Sequence, residues 1–211
     1  MSIATLGPPA GRIGPNAITR VAEALAARLG TSATWDLFDR AGLLRHLRTP
    51  PTQMVDEADV RRLHGALREQ LGAADAGEIA RAAGRCTAHY LLAHRIPQAV
   101  QRLLRWLPAA LAARVLLKAI TRNAWTFTGS GEFSATVAPW FGGAGQPPVQ
   151  LHIRHNPLCQ GLHSSAPACD YYAATFERLF QVLVHPATRV REVACEACGD
   201  AECRFELRWR A

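Results

Sequence analysis

Cys169, Glu192, Cys195 and Cys203 are the residues of this chain best equipped for chemistry, and they fall in one run, CDYYAATFERLFQVLVHPATRVREVACEACGDAECRF. Thiolates and a carboxylate drawn from a helix, a strand and the loop after it suit Zn²⁺, which prefers soft sulfur, tolerates oxygen and takes four ligands in structural sites. Five of the six cysteines lie beyond residue 158, and Cys195, Cys198 and Cys203 form the pattern C-x2-C-x4-C. Disulfides are the first alternative. The N-terminal stretch MSIATLGPPAGRIGP contains no apolar run of the kind that directs secretion, so the expected compartment is the reducing cytoplasm, where metal is favoured over cystine. The plainer alternative is an ordinary buried thiol, which is the expectation for Cys86, alone on a helical segment. An iron–sulfur cluster also uses thiolates, but the spacing fits neither common ferredoxin pattern.

The formal charge is +7 and Lys118 is the only lysine, so nearly every positive charge is a guanidinium. Arginine pairs well with carboxylates and phosphates through its planar fork. A bias toward GC-rich codons yields the same excess without functional meaning. The arginines are scattered and no recognition motif accompanies them, so nucleic acid is not an expected partner. No apolar run reaches the roughly 18 to 20 residues needed to span a bilayer. The nearest approach, LPAALAARVLLKAI from Leu107 to Ile120, is interrupted by Arg114 and Lys118. Such a segment either turns toward the core or lies on a membrane surface with its basic side chains outward.

These candidate ligands need elements to hold them. Helical spacing of Ile18, Val21, Ala22, Leu25 and Leu29 predicts a helix over 16–29, stopped by Gly30. Further helices are expected over 34–44, over 56–71 up to Gly72, from Asp75 or Gly77 to His94, and from Pro97 to about Thr121. After Asn123 the pattern changes. Residues 124–128 and 133–140 read as a β-hairpin about the turn GSGE, 149–154 as a third strand, 168–184 as an amphipathic helix, and 189–195 and 203–209 as two more strands. An antiparallel β-sheet packed against helices, an α+β fold, follows from this order. The expected organisation is a helical part over 1–122 and a sheet-and-helix part over 123–211, joined as one compact unit.

The stretch RVREVACEACGDAECRFEL resembles the signature of the 4-vinyl reductase domain family over roughly residues 150 to 210. Metal-binding members of that family hold zinc through a cysteine at the start of the long helix, a strand glutamate and two later cysteines. Carried over position by position, the resemblance implies Cys169, Glu192, Cys195 and Cys203 as ligands of a structural zinc. Cys198 is a departure from the pattern: it either displaces Glu192 to give four thiolates or stands by as a bystander. Arg191 and Arg204 are candidates to offset the negative charge of the site.

Including the helical front half and the segment AWTFTGSGEFSATVAPWF, the whole chain is similar to stand-alone members of this family that serve (bacterio)chlorophyll synthesis. The resemblance implies tetrapyrrole ligands and a fold like that of TRAPP-type tethering subunits and haem-based gas-sensing domains, often dimeric. The family name implies reduction of a vinyl group on a chlorophyllide precursor. That chemistry needs a hydride or electron source, and neither GSGEFS nor GGAGQPP has the strand-loop-helix setting of a dinucleotide-binding turn. Zinc with all four positions filled is redox-inert.

A porphyrin or Mg-porphyrin ligand would want aromatic walls, arginines at a rim and an imidazole. Candidate walls are Trp125, Phe127, Phe133, Trp140 and Phe141, candidate rim residues are Arg122 and Arg154, and candidate imidazoles are His152 and His155, with His163 in the loop beyond. Each has an ordinary reading as core or surface. The expected function is a cytoplasmic carrier that presents tetrapyrrole intermediates to chlorophyll-pathway enzymes, as a homodimer and with a peripheral membrane contact as a further expectation. The rivals are the vinyl reductase itself and a ligand-sensing module.

Overall fold

The computed structural model describes residues 11–138 and 147–209. The chain begins with β1 (Arg12–Ile13), α1 (Asn16–Arg40), the short α2 (Arg45–Arg48), β2 (Val55–Asp56) and α3 (Glu57–His94). Gly30 at φ 84° and Gly72 at φ 78° kink α1 and α3, so each long element is two helices set end to end. Only glycine adopts such a conformation without strain, which is why the sequence spells a stop there. Asp56 caps α3 by accepting the N–H of Ala58 at 2.8 Å.

Then come α4 (Gln98–Trp106) and α5 (Ala109–Arg122). The single helix expected over 97–121 is therefore two, because Pro108 has no N–H to continue α4 and instead opens α5. A second correction concerns residues 124–128. They form α6 (Trp125–Thr128), one helical turn held by Thr128 Oγ1 donating to the Ala124 carbonyl at 3.0 Å, and Gly129 at φ 59° ends it. The aromatic and β-branched composition favours a strand, but these local hydroxyl bonds satisfy the backbone as a turn. β3 (Glu132–Val137) pairs instead with β4 (Val149–Arg154).

α7 (Asp170–Leu183), β5 (Arg189–Ala194) and β6 (Cys203–Arg208) complete a four-stranded antiparallel sheet of order β3-β4-β6-β5. Period-two alternation in β4 and β6 turns Val149, Leu151, Ile153, Cys203, Phe205 and Leu207 inward. There they meet α7, with the Phe176 and Phe205 rings 5.8 Å apart. On its other side α7 packs along α3. A Cβ placed on Gly84 would stand 2.3 Å from the Tyr171 carbonyl oxygen, so the absence of a side chain sets this helix spacing. Thr87 and Tyr171 share a hydroxyl hydrogen bond at 2.8 Å across the same contact. One continuous hydrophobic core runs from α1 through α3 and α7 to the sheet.

Candidate metal centre

Four cysteines meet at one end of the sheet. Cys169 occupies the position before the first turn of α7, Cys195 follows β5, Cys203 opens β6, and Cys159 lies in the loop after β4. All four are buried. Five of their sulfur–sulfur separations lie between 3.3 and 3.9 Å, and all four sulfurs fall within 4.8 Å of one another. A tetrahedron of ~2.3 Å zinc–sulfur bonds has edges of roughly 3.8 Å, whereas a disulfide needs about 2.05 Å. The spacing is that of a metal tetrahedron, and all six cysteines are free.

Each sulfur is placed by identifiable contacts. Arg68 donates to the Ala168 carbonyl at 2.9 Å, and Arg81 reaches Asp170 at 2.9 Å, so two cations of α3 fix the start of α7 on which Cys169 sits. A tight turn follows Cys195, whose own N–H is accepted by Asp200 at 2.8 Å. The Cys159 loop leaves β4 through His155 in a left-handed conformation, φ 53°. Glu196 secures it by accepting the N–H groups of His155 at 2.6 Å and Asn156 at 2.8 Å. The Asn156 amide is wholly buried and donates to the sulfurs of Cys169 and Cys203, 3.2 Å from each. The Glu196 N–H points at Cys203 Sγ from 3.4 Å.

Donors aimed at sulfur stabilise anionic thiolate. Hydrogen bonds from Cys159 and then Cys169 hold Cys195 and Cys203 below the ordinary thiol pKa, while the contact with Cys159 keeps the Cys169 thiol well above it. Two sulfurs are thereby ready as anions, and a divalent cation at the centre would displace the protons shared by the other two. The donor set therefore fits zinc.

The expected ligand set differs from this arrangement in one member. Cys169, Cys195 and Cys203 do come together, but the fourth sulfur is Cys159 and Glu192 stands alongside. Its Oε2 accepts the N–H of Cys169 at 2.8 Å, and Oε1 is buried without a hydrogen-bond partner. Burial, and next the charge of Cys195, push its pKa up to about 9, so it is a neutral acid at pH 7. Sequence reasoning passed over Cys159 because its approach depends on a loop conformation. The available signal was the neighbouring Asn156, an amide just past a strand end. Cys198 is exposed on the short 3₁₀ turn Glu196–Cys198, outside the four. Arg191 is exposed, and strand alternation sends Arg204 to the face opposite Cys203, so Asn156 and backbone N–H groups do the work expected of arginine.

The candidate tetrapyrrole residues are dispersed. Phe127 and Phe133 pack edge to face at 5.4 Å, and Phe127 also meets Phe176 at 5.9 Å, within the core margin. His152 and Arg154 lie on the outer face of the sheet, both bound to Glu202 at 2.7 and 3.2 Å. Arg122, Trp125, His155 and His163 are exposed. Trp140 and Phe141 lie outside the described residues. A shallow cavity of about 80 Å³ lined by Arg81, Arg85, Glu177 and Arg178 is much smaller than the roughly 300 Å³ at which ligand pockets begin.

An antiparallel sheet crossed by one long helix, fronted by helices and closed by a cysteine cluster, defines a class of α+β domain. The 4-vinyl reductase domain family matches residues 149–209, the stretch that carries all four cysteines. Solved structures share the architecture: an H-NOX protein from S. oneidensis superposes with a TM-score of 0.59 at 10% identity, covering 94% of this chain and 100% of that one. An oxygen-binding H-NOX domain related to soluble guanylate cyclases gives a TM-score of 0.54 at 13% identity over 94% and 96% of the two chains. At full length the chain is 44% identical to the bacteriochlorophyll synthase 23 kDa chain of Cereibacter sphaeroides, covering 94% of this chain and 91% of that protein. The protein of the same name from Rhodobacter capsulatus is 37% identical over 93% and 86%. The chain belongs to the family of these 23 kDa proteins with a 4-vinyl reductase domain.

Proposed function

We propose that this chain serves bacteriochlorophyll biosynthesis as a tetrapyrrole-binding protein that carries intermediates to pathway enzymes, with a structural zinc joining helix, strand and loops. Near-complete alignment with two proteins named as bacteriochlorophyll synthase chains is the observation that carries the pathway. The carrier role is favoured over the vinyl reductase by the chemistry of the cluster: four buried sulfurs close a tetrahedron and leave no position for substrate. Bound zinc would supply a rigid, redox-inert crosslink. The relatedness in fold to structures that probe haem distortion in the H-NOX family is compatible with a flat macrocycle as ligand.

Among the candidate contacts, Arg122 and Trp125 have free surface and adjoin one another at the end of α5 and in α6. Trp140 and Phe141 belong to the same reading, with Arg122 meeting a propionate at the rim. The reading includes a homodimer, which light scattering of the purified protein decides. Its central test is an absorption titration with free-base and magnesium porphyrins, with and without NADPH. Binding with an unchanged vinyl group supports the carrier, and reduction on adding NADPH supports the enzyme.

A further inference from the structure

From Ile79 to Gly131 the chain contains no aspartate or glutamate. Within this stretch Arg95, Arg102, Arg105, Arg114, Lys118 and Arg122 are all exposed. The described ion pairs use none of them. The same two helices, α4 and α5, leave apolar side chains in water. Val100, Leu103 and Trp106 are spaced three apart on α4 and are 40%, 57% and 88% exposed; Leu111 and Val115, four apart on α5, are 39% and 41% exposed. Trp106 stands at the elbow formed by Leu107 and Pro108.

The elbow is firmly mounted. Gln101, buried under α4, donates to the carbonyls of Leu92 and Ile96 at 2.5 and 2.8 Å and so ties α4 to the end of α3. Leu104, Ala112, Ala113, Leu116 and Leu117 fill the core behind it. What remains outside is a projecting ridge in which aliphatic side chains and a tryptophan alternate with arginines. Arginine can lay its methylenes along apolar surface while its head reaches phosphate, and tryptophan favours the headgroup level of a bilayer.

We propose that the α4–α5 elbow docks this protein on the surface of an anionic bilayer, with Trp106 and Leu103 at the acyl boundary and the flanking cations among lipid phosphates. Charge selects this occupant. A second copy docked by the same face would set six cations against six, whereas an anionic surface complements every one of them. Each cation brought to such a surface raises partitioning by about fivefold. No described helix is long and apolar enough to cross a membrane, so the attachment is peripheral. Arg122 ends the same helix, which places the surface beside the proposed tetrapyrrole contacts and gives an apolar intermediate a short path from lipid to protein.

The test is flotation of the full chain, without porphyrin, on vesicles of phosphatidylcholine alone and on vesicles containing about one-third phosphatidylglycerol. Anionic vesicles should carry the protein and neutral ones should not, with release in 0.5 M salt as screening removes the attraction. Arg102→Glu with Arg105→Glu, and separately Leu103→Ser with Trp106→Ser, should each weaken partitioning by about tenfold or more while leaving the melting temperature unchanged. Failure to bind anionic vesicles, or binding indifferent to both pairs of substitutions, overturns the proposal. Native protein that ignores vesicles but sizes as a dimer, lost on Leu103→Ser with Trp106→Ser, overturns it in favour of a second copy. Because porphyrin is absent, these outcomes are independent of the carrier reading.

Discussion

The Glu192 carboxylate accepts the backbone N–H of Cys169 at 2.8 Å, tying β5 to the start of α7 without joining the sulfur cluster. This separates positioning from ligation and makes the two experimentally distinct. Purified protein should contain one zinc per chain. Cys159→Ser should abolish stoichiometric zinc, while Glu192→Gln, which keeps an oxygen acceptor, and Cys198→Ser should retain it. Plasma mass spectrometry of the three variants checks the assignment, and a zinc-free Glu192→Gln with zinc-loaded Cys159→Ser would restore the carboxylate as ligand.

Asn156 touches two sulfurs and orders its own loop by accepting the Leu158 N–H at 3.0 Å. Partners of this kind typically govern metal affinity by ten- to a hundredfold. Asn156→Leu should therefore lower zinc affinity within that range in a chelator competition, without removing a ligand. Stripping zinc from the native protein should cost about 4 kcal/mol where free metal had stood a thousandfold above its dissociation constant, lowering the melting temperature by about 10 °C.

The legibility of this site divides by how each residue is positioned. Cys169, Cys195 and Cys203 sit at the ends of regular elements, so spacing places them. The helix periodicity that finds α7 and the alternation that finds β6 also find their termini. Cys159 is delivered by the left-handed His155 and by the carboxylate of Glu196, forty residues away in sequence, and periodicity carries no trace of either. The same distinction holds for the fold. The kinks at Gly30 and Gly72 are spelled by residue type, whereas Trp125–Thr128 has strand composition and is helical because Thr126 and Thr128 hydroxyls satisfy nearby carbonyls.

Gly84 offers a test of the α3–α7 contact. An alanine Cβ would meet the Tyr171 carbonyl at 2.3 Å and the Thr175 nitrogen at 3.1 Å, both backbone atoms that cannot swing aside. Gly84→Ala should cost about 2 kcal/mol by forcing the helices apart. Denaturant midpoints should show the loss, with a fall of about 5 °C in melting temperature.

His64 predicts a pH dependence. Burial, and then Arg68, push its pKa down to about 4, and its Nε2 is buried without a partner. Above the unfolded value of about 6.5 the ring is neutral in both states and contributes nothing to the pH profile. As pH falls from about 6.5 toward 4, the unfolded chain takes up a proton that the folded chain refuses, so stability is lost through that window, by about 3 kcal/mol in full. His64→Phe should flatten this part of the stability profile relative to native protein. The cysteine cluster is common to both proteins, so its own acid sensitivity cancels in the difference.

Porphyrin binding can be separated from core packing because the candidate aromatics have different surroundings. Phe127 is held between Phe133, Tyr172 and Phe176, and Tyr172 donates its hydroxyl to the Phe127 carbonyl at 2.7 Å. Phe127→Ala should cost about 3 kcal/mol of stability whether or not a ligand binds. Trp125 is 42% exposed, so Trp125→Ala should leave the melting temperature within about 1 °C of native. If the macrocycle rests on this surface, removing that ring loses apolar burial worth about 25 cal/mol per Å² and weakens binding of free-base and magnesium porphyrins alike. His155→Ala should weaken only the magnesium form, since only a metallated ring offers an axial position to an imidazole. A Trp125→Ala protein with native affinity for both forms would remove α6 from the binding surface and direct the search to residues 139–146.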